Sequence, residues 1–299
     1  NKKIIINSFI FIFIFFTIYS YLSMFWAIDP YISLTKSITL SLLLILIILL
    51  FNYIDTKDKL FKIIHYFVLI SFIASLYLLF RYNTHYYYDR SFGSELGNVN
   101  FVSLFLSISS ILCFYLFIIN TTLTKKFIYF IILLILIITI LLTGSRKSFL
   151  LIIFNISFIL IMINKKNLRK IANYSLISLL IIFLSFILIF KINFLYNNIG
   201  RRFEFIYDFF TQSYKETSMF QRYNMIDFGI KRFFEKPFLG YGTDNYRLLY
   251  KSYFNLETYS HSNFIELSVD LGFFGLILYY LLFIILLYKL KKLINNSYD

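Results

Sequence analysis

The chain is expected to be all-α: a polytopic membrane bundle of about eight spans with one large extracytoplasmic loop. Three observations lead there. Apolar residues make up 60% of the 299 residues and charged residues only 15%, with 39 Phe and 26 Tyr. A globular domain carries about 45–50% apolar and about 25% charged residues. The apolar residues fall in blocks too long for core helices, and a bilayer core of about 30 Å takes roughly 17–25 helical residues. Two Pro and nine Gly exclude collagen-like and low-complexity chains.

The first block, about 4–25, follows Lys2 and Lys3 as a signal peptide would. No small-residue cleavage site follows it and further apolar blocks do, so it reads as a span. The next blocks are 38–54, 61–80, 99–119, 127–143, 148–163 and 171–192, and the last is 264–288. Residues 1–192 are thus assigned to seven spans, 193–263 to the large loop, and 264–299 to the last span and a tail. Inside the loop, 223–234 sets Met225, Ile226, Phe228, Ile230, Phe233 and Phe234 among Lys231 and Arg232. That pattern predicts an amphipathic helix on the bilayer surface, ended by Lys236-Pro237, after which 238–242 must turn. Asn263 and Glu266 have capping-box spacing, so a helix is expected to start with Asn263 as its cap.

Orientation follows from the cations. With the N-terminus inside, the short cytoplasmic segments hold fourteen Lys and Arg, among them Lys57, Lys59, Lys62, Lys125 and Lys126, against five in the short outer loops. The large loop therefore faces away from the cytoplasm, and the expected location is the cytoplasmic membrane. A net charge of +14 would suggest nucleic acid in a soluble chain; here the charges sort by membrane side, and no nucleic-acid partner is expected. The lone Cys113 rules out a disulfide framework or a thiolate cluster. Nucleotide-activated donors are cytoplasmic, so an enzyme working on the outer side needs a donor already carried across, such as a lipid-linked intermediate. An ion-coupled transporter would place ionisable groups at span centres, and no Asp, Glu or Arg is found there.

Polar candidates gather on the predicted outer face. The tight run Thr143-Gly144-Ser145-Arg146-Lys147-Ser148 joins two short apolar blocks and holds Arg146 and Lys147 near headgroup level. Two half-dry cations there suit a pyrophosphate, for which Arg offers a planar fork of donors, or equally serve as anchors on lipid phosphates. In the loop Arg201, Arg202, Arg222, Arg232 and Arg247 alternate with Phe and Tyr. Sugar stacking beside phosphate binding would use that mixture, and so would a loop lying on the interface. His261, beside the positive end of the last helix, is disfavoured as imidazolium and is a candidate general base for a sugar hydroxyl, or an ordinary loop residue. Glu266 has a capping role and Asp270 a loop cation as its expected partner. No metal-ligand spacing is found, and neither a metal nor a cofactor is expected.

Taken together, these residues resemble the O-antigen ligase and O-antigen polymerase family of bacterial membrane glycosyltransferases. His261-Ser262, nine residues, then Gly272-Phe273-Phe274-Gly275 matches the ligases' His-[Asn/Ser/Gln]-x9-Gly-x-x-Gly pattern at every fixed position. Ser145-Arg146 resembles the family's Ser-Arg turn, and Arg222 followed by 237–242 its loop Arg and Pro-x-x-Gly-x-Gly run. Gly97-Asn98-Val99-Asn100 and Trp26-Ala27-Ile28-Asp29-Pro30 also have counterparts. The likeness covers roughly 20–288. Family members carry about ten to twelve spans, so the chain, which starts at Asn1, is expected to be a fragment. The resemblance implies transfer of a glycan from undecaprenyl pyrophosphate to an acceptor hydroxyl at the outer face, by one inverting, metal-independent displacement. His261, Arg146 and Arg222 would be catalytic, and Lys147, Arg201, Arg202, Arg247 and Asn100 would bind substrate. Lipid A–core as acceptor would make it a ligase, another lipid-linked glycan a polymerase, and a protein hydroxyl an oligosaccharyltransferase. A flippase or a non-catalytic scaffold would leave His261 replaceable.

Overall fold

The computed structural model describes residues 5–81, 92–163, 168–200 and 217–296, which are helical and contain no β-strand. In chain order the helices are α1 Ser8–Leu22, α2 Pro30–Tyr53, α3 Lys57–Phe80, α4 Val99–Ile119, α5 Leu123–Thr143, α6 Arg146–Ile163, α7 Leu168–Lys191, α8 Thr217–Glu235, α9 Tyr246–Phe254 and α10 Asn263–Asn296. Among the described residues six stretches are long and apolar enough to cross a membrane: α1 with the 3-10 turn after it, α2, α3, α4, α5 and α10. The two other blocks expected to span also fold as helices, α6 and α7. The chain is a multi-pass helical membrane protein.

The helix starts are written in capping chemistry. Asn7 Oδ1 accepts the Ile10 N–H at the head of α1 (2.9 Å), and Asn98 does the same for Asn100 at α4. Asp29 Oδ1 accepts the N–H groups of Tyr31 and Ile32, and Pro30 takes the first helical position. That cap starts α2 eight residues before the expected span, because hydropathy overlooks a mixed first two turns that a strong cap makes helical.

Residues fall into two compact units, 1–57 with 215–299 and 58–214. In the first, Phe13 and Phe16 of α1 pack with Leu271 and Leu282 of α10 and with Leu40 and Leu44 of α2. A seam of hydroxyls joins α1 and α2 to the segment before α9: Ser20 meets Ser37 at 2.7 Å and Thr243 at 2.9 Å, and Ser33 Oγ donates to the Thr243 carbonyl. Between helices in lipid, such small polar residues allow close approach and satisfy one another. The second unit is built on α4, which packs on α5 and α6 around Leu106, Cys113, Leu116, Leu136 and Ile140.

The helix foreseen at 223–234 is α8, extended at both ends. Its apolar residues do not all face a bilayer surface. Met225 and Phe228 are buried with Tyr246, Tyr250, Ile265 and Val269, whereas Ile230 and Phe234 stay exposed. Arg232 clamps α8 to α9 by donating to Tyr253 Oη (2.8 Å), pairing with Glu235 and lying over the Phe228 and Tyr253 rings.

Candidate functional site

The site of the first unit rests on a backbone joint. Helix α10 breaks at Gly272 (φ 62°, ψ −162°), which strands backbone groups inside an apolar segment. The 237–242 run supplies their partners. Phe273 N–H donates to the Pro237 carbonyl (2.7 Å), Tyr241 N–H to Val269 (2.9 Å) and Gly242 N–H to Asp270 (2.8 Å). A Cβ at position 240 would lie 2.5 Å from the Val269 and Asp270 carbonyl oxygens, and one at 272 would run into the Phe238 carbonyl. The Pro-x-x-Gly-x-Gly and Gly-x-x-Gly patterns are thus two halves of one contact. The Trp26–Asp29 stretch closes its other side. Trp26 Nε1–H donates to Leu239 (2.9 Å), Ile28 N–H to Tyr241 (3.1 Å), and Asp29 N–H to Asn245 Oδ1 (2.7 Å). Tyr241 donates its hydroxyl to Glu235 (2.7 Å); burial first, then that carboxylate, push the phenol up to about 12, so it remains a donor.

Asp270 departs from expectation. Among the described residues it takes no loop cation: its carboxyl, almost wholly buried, accepts the N–H groups of Asp244 (2.8 Å) and Tyr246 (2.7 Å), capping α9 from another helix. Sequence spacing does not announce such a long-range cap. Asp270→Ala leaves two N–H groups without acceptors and is expected to cost about 2–4 kcal/mol, read as a lower thermal midpoint in detergent.

At the other end of that helix segment stands His261. Its φ of +56° is left-handed, a conformation a non-glycine residue holds only when its surroundings impose it. The restraint comes from both neighbours. Ser260 is fully buried; its hydroxyl lies 2.8 Å from the Ser262 carbonyl and 3.2 Å from Glu266 Oε2, and its N–H reaches the same carboxylate (3.3 Å). The His261 side chain is exposed, with its ring 4.2 Å from that of Tyr259. The helix does begin at Asn263, but the first acceptor is the Ser262 carbonyl, to which Glu266 N–H donates (2.9 Å). Glu266 therefore reaches back past Asn263 to Ser260, bracing the turn that carries His261.

Arg222 lies exposed on α8. Helices α8 and α10 run in the same direction, since Gly229 is pressed against Ile265 and the chain leaving α8 meets 269–273. Two turns before Gly229, Arg222 falls at the His261 end of the pair. Arg247, on α9, is engaged by Asp244 (3.2 Å) and Glu257 (3.6 Å), and Lys251 joins Glu257 at 2.9 Å. The Lys251 hydrogen bond and charge, with Arg247 contributing less, hold the Glu257 carboxyl below its ordinary 4.5. A lowered folded-state value stabilises above the ordinary one and is lost as pH falls through it. Pepsin cleavage around Glu257, normalised to pepsin's own activity, is expected to speed up as pH falls below the carboxyl's ordinary 4.5, and Glu257→Gln to remove that step.

A cleft of about 280 Å³ in the same unit was not foreseen. Apolar Phe16, Leu40 and Leu271 face Lys36, Asp244, Asn263, Glu266 and Asp270 across it. Its polar residues come from α2, the segment before α9, and α10, so no local pattern signals it.

In the second unit the 143–148 run is the tight turn expected. Gly144 closes α5 in a left-handed conformation (φ 63°), and the Ser145 carbonyl accepts the Phe149 N–H to open α6. Beneath the turn runs a buried hydroxyl chain: Ser145 to Ser148 (3.2 Å), Ser148 to Ser103 (2.9 Å), and Ser103 to the Asn100 carbonyl (3.0 Å). This chain brings Asn100 to the same end of the unit as Arg146 and Lys147. Arg146 is half-buried, while Lys147 and Asn100 are exposed. Arg201 and Arg202 lie outside the described residues. No group of three metal-ligating side chains occurs among the described residues.

An exposed histidine and an exposed arginine thus stand at the same end of the α8–α10 pair of a multi-pass helical membrane protein. A family model described as O-antigen ligase matches residues 130–280, half of the chain. The chain belongs to the O-antigen ligase family, the glycosyltransferase-like ligases and polymerases of lipopolysaccharide biosynthesis. No curated protein and no solved structure matches it.

Proposed function

We propose that the protein transfers a glycan from undecaprenyl pyrophosphate to an acceptor hydroxyl at the outer face of the cytoplasmic membrane, with the 193–263 segment on that face. The observation carrying this reading is His261, held in a left-handed turn by Ser260 and Glu266 and presented to solvent. His261 takes the proton of the acceptor hydroxyl as that oxygen attacks the anomeric carbon, and the glycosyl–phosphate bond breaks with inversion. Arg222 neutralises the leaving pyrophosphate, and Arg146 and Lys147 are assigned to the same diphosphate chemistry. A diphosphate leaves as a stabilised anion, so the step is metal-independent in this account. Asn100, Arg247, Arg201 and Arg202 are proposed to bind the sugar–phosphate chain, Arg247 after exchanging a carboxylate for substrate.

Lipid A–core is the favoured acceptor, on the complete His-x-x9-Gly-x-x-Gly pattern; a second lipid-linked glycan would make the enzyme a polymerase. Complementation of a host lacking its own enzyme tests the reading, using the full-length gene and His261→Ala at matched expression. Wild type is expected to restore long surface glycan, and the variant to leave lipid-linked donor stranded. Glycan on lipid A–core identifies a ligase, and longer donor chains a polymerase. A variant that performs like wild type rejects the general base and favours transport or scaffolding. Arg222→Ala is expected to slow transfer about 10²-fold, with Arg222→Lys recovering part of it because the charge returns without the fork.

A further inference from the structure

The second unit carries a cavity unrelated to the proposed transfer. It lies between α3 and α5, has a volume of about 400 Å³, and is walled by Val68, Leu69, Ile128 and Ile132. Four polar side chains also line it: His65, Asn120, Lys125 and Tyr129. The cation count puts this end of the unit at the cytoplasmic leaflet, where Lys57, Lys59, Lys62, Lys125 and Lys126 outnumber Asp55 and Asp58. Lys125 forms no ion pair among the described residues. Basic pockets between spanning helices on that side suit anionic headgroups, and the apolar wall suits an acyl chain.

The remaining groups narrow the headgroup. His65 Nδ1 lies 2.6 Å from the Phe61 carbonyl, which only accepts, so Nδ1 carries the proton, and in that tautomer Nε2 is an acceptor. Asn120 spends its amide N–H on the Leu116 carbonyl (2.7 Å), which leaves Oδ1 as a second acceptor. A cation and a phenol suit a phosphate; two acceptors beside them suit hydroxyls. An ethanolamine headgroup could give its ammonium to the same two acceptors but brings no net negative charge to the lysines, and phosphatidic acid has no glycerol headgroup to reach those acceptors.

We propose that this cavity binds the headgroup of phosphatidylglycerol from the inner leaflet, with the phosphate at Lys125 and Tyr129 and the glycerol hydroxyls at His65 Nε2 and Asn120 Oδ1. The assignment rests on the orientation of the chain and not on its transfer chemistry. Native mass spectrometry of the full-length protein in detergent tests it, with equimolar phosphatidylglycerol, phosphatidylethanolamine and phosphatidic acid of matched acyl chains. Wild type is expected to retain phosphatidylglycerol over both others. Lys125→Gln should weaken that binding about 5-fold, Lys125→Arg should preserve it, and His65→Phe should erase the preference over phosphatidic acid. Thermal midpoints check that each variant is folded. Equal retention of phosphatidylglycerol and phosphatidylethanolamine by wild type overturns the proposal, as does unchanged binding by both Lys125→Gln and His65→Phe.

Discussion

Gly272→Val is expected to abolish the folded form of the first unit, with a loss of about 3–5 kcal/mol. Position 272 has φ of 62°, which a β-branched residue resists, and its Cβ would enter the Phe238 carbonyl. The obstacle is backbone on both sides, so no rotamer change relieves it. Moving 238 away would break the bonds from Phe273 to Pro237 and from Tyr241 to Val269, leaving polar groups unpaired inside α10. Gly240→Val attacks the same joint from the loop side and should behave alike. The readouts are the yield of protease-resistant protein and the thermal midpoint in detergent. Lys147→Ala, at an exposed position, serves as the control that leaves both near wild type.

The second large effect is on chemistry. His261→Ala removes an exposed side chain and leaves Ser260, Ser262 and Glu266 in place, so the protein should fold while transfer falls about 10²–10⁴-fold. Glu266 acts through the turn. Glu266→Ala frees Ser260 and lets His261 relax from its left-handed conformation, whereas Glu266→Gln keeps an oxygen acceptor for Ser260 N–H. The alanine variant should lose about 10-fold in kcat with little change in KM, and the glutamine variant should recover most of it. A merely structural role for Glu266 would instead lower abundance and leave kcat per folded molecule unchanged.

Much of this was legible in the residues. The 99–119 block, the turn at 143–148, the end of α8 before Pro237 and the turn at 238–242 all appear where capping, apolar blocks and glycines place them. What failed to show had non-local causes. Helix α9 looked like loop because its nine residues mix charge and aromatics, and its start depends on Asp270, twenty-odd residues away. The early start of α2 depends on a cap rather than on hydropathy. The glycine patterns were visible as patterns, yet their shared purpose emerges only when 240 and 272 are seen against each other's backbone. Of the candidate site, His261 was legible as a residue but not as a strained one. The brace from Glu266 to Ser260 replaces the reciprocal cap that spacing alone suggests.

The most direct test of His261 as general base is a single-turnover assay on the purified full-length enzyme in a lipid disc. Wild type and His261→Ala would be loaded with radiolabelled lipid-linked donor, bound donor measured, and acceptor then added. The account predicts equal donor binding, with transfer by the variant slower by about 10²–10⁴-fold. Transfer within two-fold of wild type at equal donor occupancy would contradict it.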